Sequence, residues 1–136
     1  DTRNQRVWAF LGDGECDEGQ VWEAASSAAH FKLDNITAII DWNKLQLDGP
    51  TNQVQEKRSL EKKFDSFGWH SHQVNGHDHL EILNALNQSE KNKPTAIIAD
   101  TIKGKGISFM EHQVKYHGKT LNEEELALAL SEINKG

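Results

Sequence analysis

Val7-Trp8-Ala9-Phe10-Leu11-Gly12-Asp13-Gly14 is an apolar run that stops on a glycine-flanked aspartate, and Ile36-Thr37-Ala38-Ile39-Ile40-Asp41-Trp42-Asn43 repeats that form with an asparagine. Asn43 follows Asp13 by 30 residues. That spacing fits one strand–helix–strand step, since parallel strands need a crossover of a dozen or more residues. It predicts that Asp13 and Asn43 land at the same edge of one sheet. Gly12 and Gly14 let the chain turn sharply and approach a bulky anion without a Cβ in the way. The helix expected next offers free N–H groups to a diphosphate. A carboxylate, an amide oxygen and backbone carbonyls at one point form a hard-oxygen site suited to Mg2+, with Ca2+ as a substitute. Alone, Gly-Asp-Gly also satisfies ordinary turn chemistry, and Asn43 could be a turn residue. The pairing of the two at a matched distance favours the site.

Working outward, four short runs read as strands: Val7–Leu11, Ile36–Ile40, His70–Val74 and Thr95–Ala99. The second and fourth are nearly continuous in apolar residues, as buried parallel strands tend to be. The third is polar and fits an outer strand. Helical patterns lie between and after them. Glu18–Phe31 puts Val21, Ala25 and Ala28 on one face, and Ser59–Phe67 does so with Leu60, Phe64 and Phe67. Ser59 is placed as N-cap and Gly68 as the stop. His79–Ser89 carries Leu80, Leu83 and Leu86 behind a capping-box-like Asp78 and Glu81. Glu123–Asn134 carries Leu126, Leu130 and Ile133 behind Asn122 and Glu125.

Alternating strands and helices predict an α/β class with a mainly parallel sheet flanked by helices, a three-layer domain. Right-handed crossovers place the strand-to-helix loops at one edge: Gly12–Asp17, Trp42–Arg58, Asn75–Asp78 and Thr101–Leu121. Ligands of open α/β sheets bind outside the carboxyl ends of the strands. Asp13, Asn43 and the long Thr101–Leu121 loop therefore converge on topology alone.

The length of 136 residues fits one domain. A net charge of −6 argues against nucleic acid, though not against a phosphate ligand whose charge a divalent metal neutralises. No stretch is apolar and long enough to span a bilayer, and no leader-like run is present. A single cysteine, Cys16, excludes a disulfide framework and fits a reducing, cytoplasmic setting.

The stretch Gly12–Gly49, with Glu18-Gly19-Gln20-Val21-Trp22-Glu23-Ala24 and Leu45-Gln46-Leu47-Asp48-Gly49, resembles the thiamine-diphosphate motif of transketolases. Thr101–Gly118, ending in Tyr116-His117-Gly118, resembles their later cofactor-contacting segment. The resemblance covers essentially the whole chain. It implies the thiamine-diphosphate-binding fold, with residues 1–136 as part of a single diphosphate-binding (PP-type) domain whose upstream portion is missing.

It also implies thiamine diphosphate as cofactor, bound by Gly12, Asp13, Gly14, Asn43, Leu45 and His117. Asp13, Asn43 and the Leu45 carbonyl would hold the metal. His117 would help proton transfer. Glu18, and less directly Glu23, would join a network linking two cofactor sites across a subunit interface. The reaction implied is reversible transfer of a two-carbon ketol unit between sugar phosphates. The implied partner is a pyrimidine-binding domain or C-terminal transketolase subunit, in a dimer or heterotetramer. A dihydroxyacetone synthase, a 1-deoxyxylulose-5-phosphate synthase-like enzyme, a non-catalytic Mg-diphosphate-binding subunit and a purely structural subunit are the alternatives. Trp22-Glu23-Ala24 and Leu47-Asp48-Gly49 favour transketolase.

Other features read as bland. His70, His72, His77 and His79 lack the companion ligands of a structural zinc and fit solvated histidines. His112 sits in the long loop without a clear match. Lys103-Gly104-Lys105-Gly106 supplies flexibility and is no P-loop. Cys16 has no evident base partner.

Overall fold

A computed structural model describes residues 5–135. Strands β1 (Val7–Gly12), β2 (Ile36–Trp42), β5 (His70–Asn75) and β6 (Thr95–Asp100) form one parallel sheet in the order β1-β2-β6-β5. The polar third run is an edge strand, as its composition predicts. The most apolar run, Thr95-Ala96-Ile97-Ile98-Ala99, lies inside the sheet and is buried along that length.

The steps from β1 to β2 and from β2 to β5 run one way across the sheet, and the step from β5 to β6 runs back. Right-handed crossovers then set α1 (Gly19–His30) and α3 (Leu60–Ser66) on one face and α4 (His79–Asn87) on the other. On the first face, Ala38, Ile40, Ala96 and Ile98 share a core with Val21, Ala25, Ala28, Leu60, Phe64 and Trp69. These strand residues sit at alternate positions, so they share a side of the pleat. The Trp69 indole donates to the Ala25 carbonyl at 2.9 Å and stitches α1 to the start of β5. Phe64 packs between Trp22 and Trp69, with ring centroids 5.2 Å from each.

Ser59 caps α3 by accepting from Lys62 N–H, and Asn122 with Glu125 closes a full capping box on α5 (Glu123–Ile133). Asp78 caps α4, but Glu81 turns away to accept from Asn75 N–H at 2.7 Å, so the box there stays open. The apolar faces expected on α4 and α5 are not buried. Leu80 is 71 % exposed, and Leu83, Leu126, Leu130 and Ile133 are exposed too. Only Ala85 and Ala129 of these two helices are buried, because the described chain brings no further element against those leucines.

Trp42–Arg58, expected as a loop, holds the two-residue strands β3 (Leu45–Gln46) and β4 (Gly49–Pro50) and the short helix α2 (Thr51–Val54). Among the described residues, no helix is long and apolar enough to cross a membrane.

Candidate functional site

Gly12 pairs with Asp41 across β1 and β2, and Trp42 pairs with Asp100 across β2 and β6. The three carboxyl ends are therefore level. Asp13 extends this line: its N–H donates to the Asp41 carbonyl at 3.2 Å. The Asp13 side chain is only 2 % exposed, and its Oδ2 accepts from Lys44 N–H at 2.8 Å. Burial pushes its carboxyl above the ordinary value, more than the Lys44 and Gly14 N–H groups and the Lys57 ammonium pull it down. A buried acid held this way gains from a cation beside it.

Asn43 uses both ends of its amide. Oδ1 accepts from Leu45 N–H at 3.0 Å, and Nδ2 donates to Asp41 Oδ2 at 2.9 Å. Lys44 between them adopts φ +66°, which tightens the turn after β2. Its ammonium meets Asp100 at 2.6 Å and lies 4.9 Å from the Trp42 ring centroid.

The glycines divide their tasks. A Cβ on Gly12 would meet nothing within 4 Å, so that position leaves open space, whereas a Cβ on Gly14 would come within 2.6 Å of Gln46 Oε1. Gly14 is thus needed for the close approach of β3. The helix expected directly after these glycines begins later. A single 3-10 turn, Glu15–Asp17, intervenes, and α1 starts at Gly19 with Glu18 as an N-cap that makes no side-chain cap. Gly12 N–H is already engaged by Glu15 Oε2 at 3.1 Å.

A cavity of about 640 Å³ opens at this edge, lined by Gly12, Asp13, Gly14, Glu18, Asn43, Leu45 and His117 among others. Each residue expected to bind cofactor or metal, or to act in catalysis, borders it. Glu23 and His112 do not; Glu23 lies exposed along α1, and His112 is exposed at φ +59°. Lys103 does line it, a cation that the sequence reading passed over as part of a flexible run.

The Thr101–Leu121 loop is well tied rather than loose. Ile102 N–H donates to His77 Nε2 at 2.7 Å, so His77 is a buttress and not merely a solvated histidine. Ser108 bonds Glu132 through both its N–H and its hydroxyl. Buried Tyr116 donates its hydroxyl to Glu125 Oε1 at 3.1 Å and anchors the turn before His117, whose own N–H donates to the Val114 carbonyl at 2.8 Å.

The donor set fits a hard divalent cation. Lys44 N–H takes one Asp13 oxygen, and Asn43 Oδ1 keeps a lone pair after accepting one hydrogen bond. The Leu45 carbonyl stands on the same cavity wall. Among the described residues, no three His, Cys, Asp or Glu side chains gather to hold a metal. A cation here would therefore complete its shell with oxygens of an anionic ligand. Cys16 is buried, and desolvation pushes its thiol up to about 12, which leaves it inert.

Comparison with known proteins places this geometry. The family described as transketolase, thiamine diphosphate binding domain, matches residues 1–133. The chain is 42 % identical over 131 residues to the 6-deoxy-6-sulfo-D-fructose transketolase subunit SqwG of a Clostridium species, covering 95 % of this chain and 48 % of that protein. It is 41 % identical over 133 residues to human transketolase, covering 98 % of this chain and 21 % of that one. The crystal structure of transketolase from Campylobacter jejuni superposes with a TM-score of 0.88 at 34 % identity, over 96 % of this chain and 21 % of that one. The chain thus spans about half the length of the subunit relative and a fifth of the longer ones.

Proposed function

The chain belongs to the transketolase family, in its thiamine diphosphate binding domain, and on that premise we propose that it holds the metal–diphosphate end of the cofactor in an enzyme that moves two-carbon ketol units between sugar phosphates. The observation that carries this reading is one cavity bordered by Gly12, Asp13, Gly14, Asn43, Leu45, Glu18 and His117, which come from three different loops. Asp13, Asn43 Oδ1 and the Leu45 carbonyl would hold Mg2+. Gly12 leaves room for the diphosphate, and Lys103 adds a positive charge on the same wall. When bound, thiamine diphosphate supplies the electron sink that stabilises the carbanion formed on the donor sugar. His117 holds and moves a proton beside that reacting end. Glu18 links the site to a second one across a subunit interface.

The rest of the machinery belongs to other elements. The domain is completed by an upstream portion, and a pyrimidine-binding domain or C-terminal subunit covers the cofactor's other end, in a dimer or heterotetramer working in the cytoplasm. Support for the covered surface comes from the β1 edge. Val7, Trp8 and Phe10 are exposed there, Phe10 by 75 %. Beside it an apolar cavity of about 380 Å³ opens between β1 and α1, lined by Leu11, Val21, Ala25 and Ile36 among others.

Calorimetry tests this. The chain alone should bind thiamine diphosphate weakly, and only with Mg2+. With a pyrimidine-domain partner and the upstream elements it should bind tightly and transfer ketol units. In that assembly His117→Ala should keep the cofactor and lower kcat by roughly 10²–10⁴-fold. Robust turnover by the chain alone, or Mg2+-independent binding, would overturn the proposal.

A further inference from the structure

Asn43 serves a cation only if its amide points the right way. The two ends of an amide have nearly the same shape, and a flipped Asn43 would aim an NH2 group at the metal. Two neighbours choose the state. Leu45 N–H needs an acceptor and sits 3.0 Å from Oδ1; Asp41 Oδ2 needs a donor and sits 2.9 Å from Nδ2. Asp41 is itself fixed on three sides. Its carbonyl accepts from Asp13 N–H, its Oδ1 accepts from the Thr101 hydroxyl, and its backbone is paired within β2. Thr101 opens the loop that carries Lys103 and His117, and its N–H donates to the Trp42 carbonyl at 3.3 Å.

We propose that Asp41 is a positioning residue: its carboxylate locks the Asn43 amide with Oδ1 free for the metal and ties that turn to Thr101, joining the metal half of the site to the half carrying His117. Both of its carboxylate oxygens are engaged by donors, so it acts through Asn43 rather than on the cation. The proposal rests on the reading of Asp13 and Asn43 as metal ligands.

The test uses the chain with Mn2+ and inorganic diphosphate, followed by paramagnetic resonance, together with the side-chain NH2 signals of Asn43 in metal-free protein. Asp41→Ala should weaken Mn2+–diphosphate binding by about 10–100-fold, the usual cost of losing an outer-shell partner. It should also shift the Asn43 NH2 pair. Asp41→Asn can still accept from Asn43 and donate to the Thr101 hydroxyl, so it should restore most of the affinity and the NH2 shifts.

Wild-type affinity in Asp41→Ala would overturn the proposal while leaving the site reading intact. An Asp41→Asn variant as weak as Asp41→Ala would overturn it too, because the charge itself would then be the ligand. Failure of the wild-type chain to bind Mn2+–diphosphate at all would sink the site reading and this proposal together, even if the NH2 signals respond.

Discussion

Asp13 carries a conflict between stability and binding. Its carboxyl is raised from an ordinary value of 3.8, with burial as the largest cause. In the window just above that value the folded chain binds more protons than the unfolded one, so stability falls as pH rises through it and stays lower at neutral pH. Asp13→Asn keeps the acceptor for Lys44 N–H and removes the buried charge. It should raise the Tm of the cofactor-free protein at pH 7, with the gain vanishing below the window. The same change should weaken Mg2+–diphosphate binding by at least about tenfold, since a charge-assisted contact is worth roughly 1.5–3 kcal/mol. Thermal scans at pH 3 and pH 7, with and without ligand, check both halves; a lower Tm at pH 7 would remove the argument.

The short elements that frame the site hold it in place through one buried ion pair. Lys57 follows α2, is 3 % exposed and meets Asp17 of the 3-10 turn, itself 20 % exposed. Its ammonium makes no hydrogen bond of good geometry, so the contact is ionic. Lys57→Met should destabilise the protein by somewhat less than the roughly 3–5 kcal/mol of a fully buried pair, because Asp17 keeps part of its surface in water. Adding Asp17→Asn should return much of that loss. Urea unfolding of the two single variants and the double variant decides it; equal losses in Lys57→Met and the double variant would count against the pairing.

These same elements were the least legible in the sequence. The four strands could be read within a residue or two of their ends, because apolar runs and flanking turn residues report them directly. Asp13 and Asn43 could be placed together because a parallel step fixes which edge they reach. Lys57 gave no signal, since a lone lysine in a polar stretch reads as surface until the loop folds it inward. Lys103 was missed for the same reason: its place depends on how the whole Thr101–Leu121 loop is tied down. Leu80 and Leu126 show the converse. Their periodicity marks a face, but periodicity does not say whether anything in this chain covers it.

At the scale of the whole molecule, the sheet is assembled out of the order in which it is written. β6 is the last strand in sequence and lies inside the sheet, between β2 and β5. β2 can find β1 as soon as Trp42 is made, but β5 has no partner until Thr95–Asp100 appears. At about 5–20 residues per second, the ribosome leaves that gap open for roughly 3–12 s. A nascent chain arrested at Pro94 should be cut by protease within β5, and one arrested well past Asp100 should resist; equal cleavage of both would contradict this order. During translation, then, the Asp13–Asn43 half of the pocket can come into register early, while the half bearing His117 waits for the closing strand, and the newborn protein has a place for a metal before it has a place for a proton.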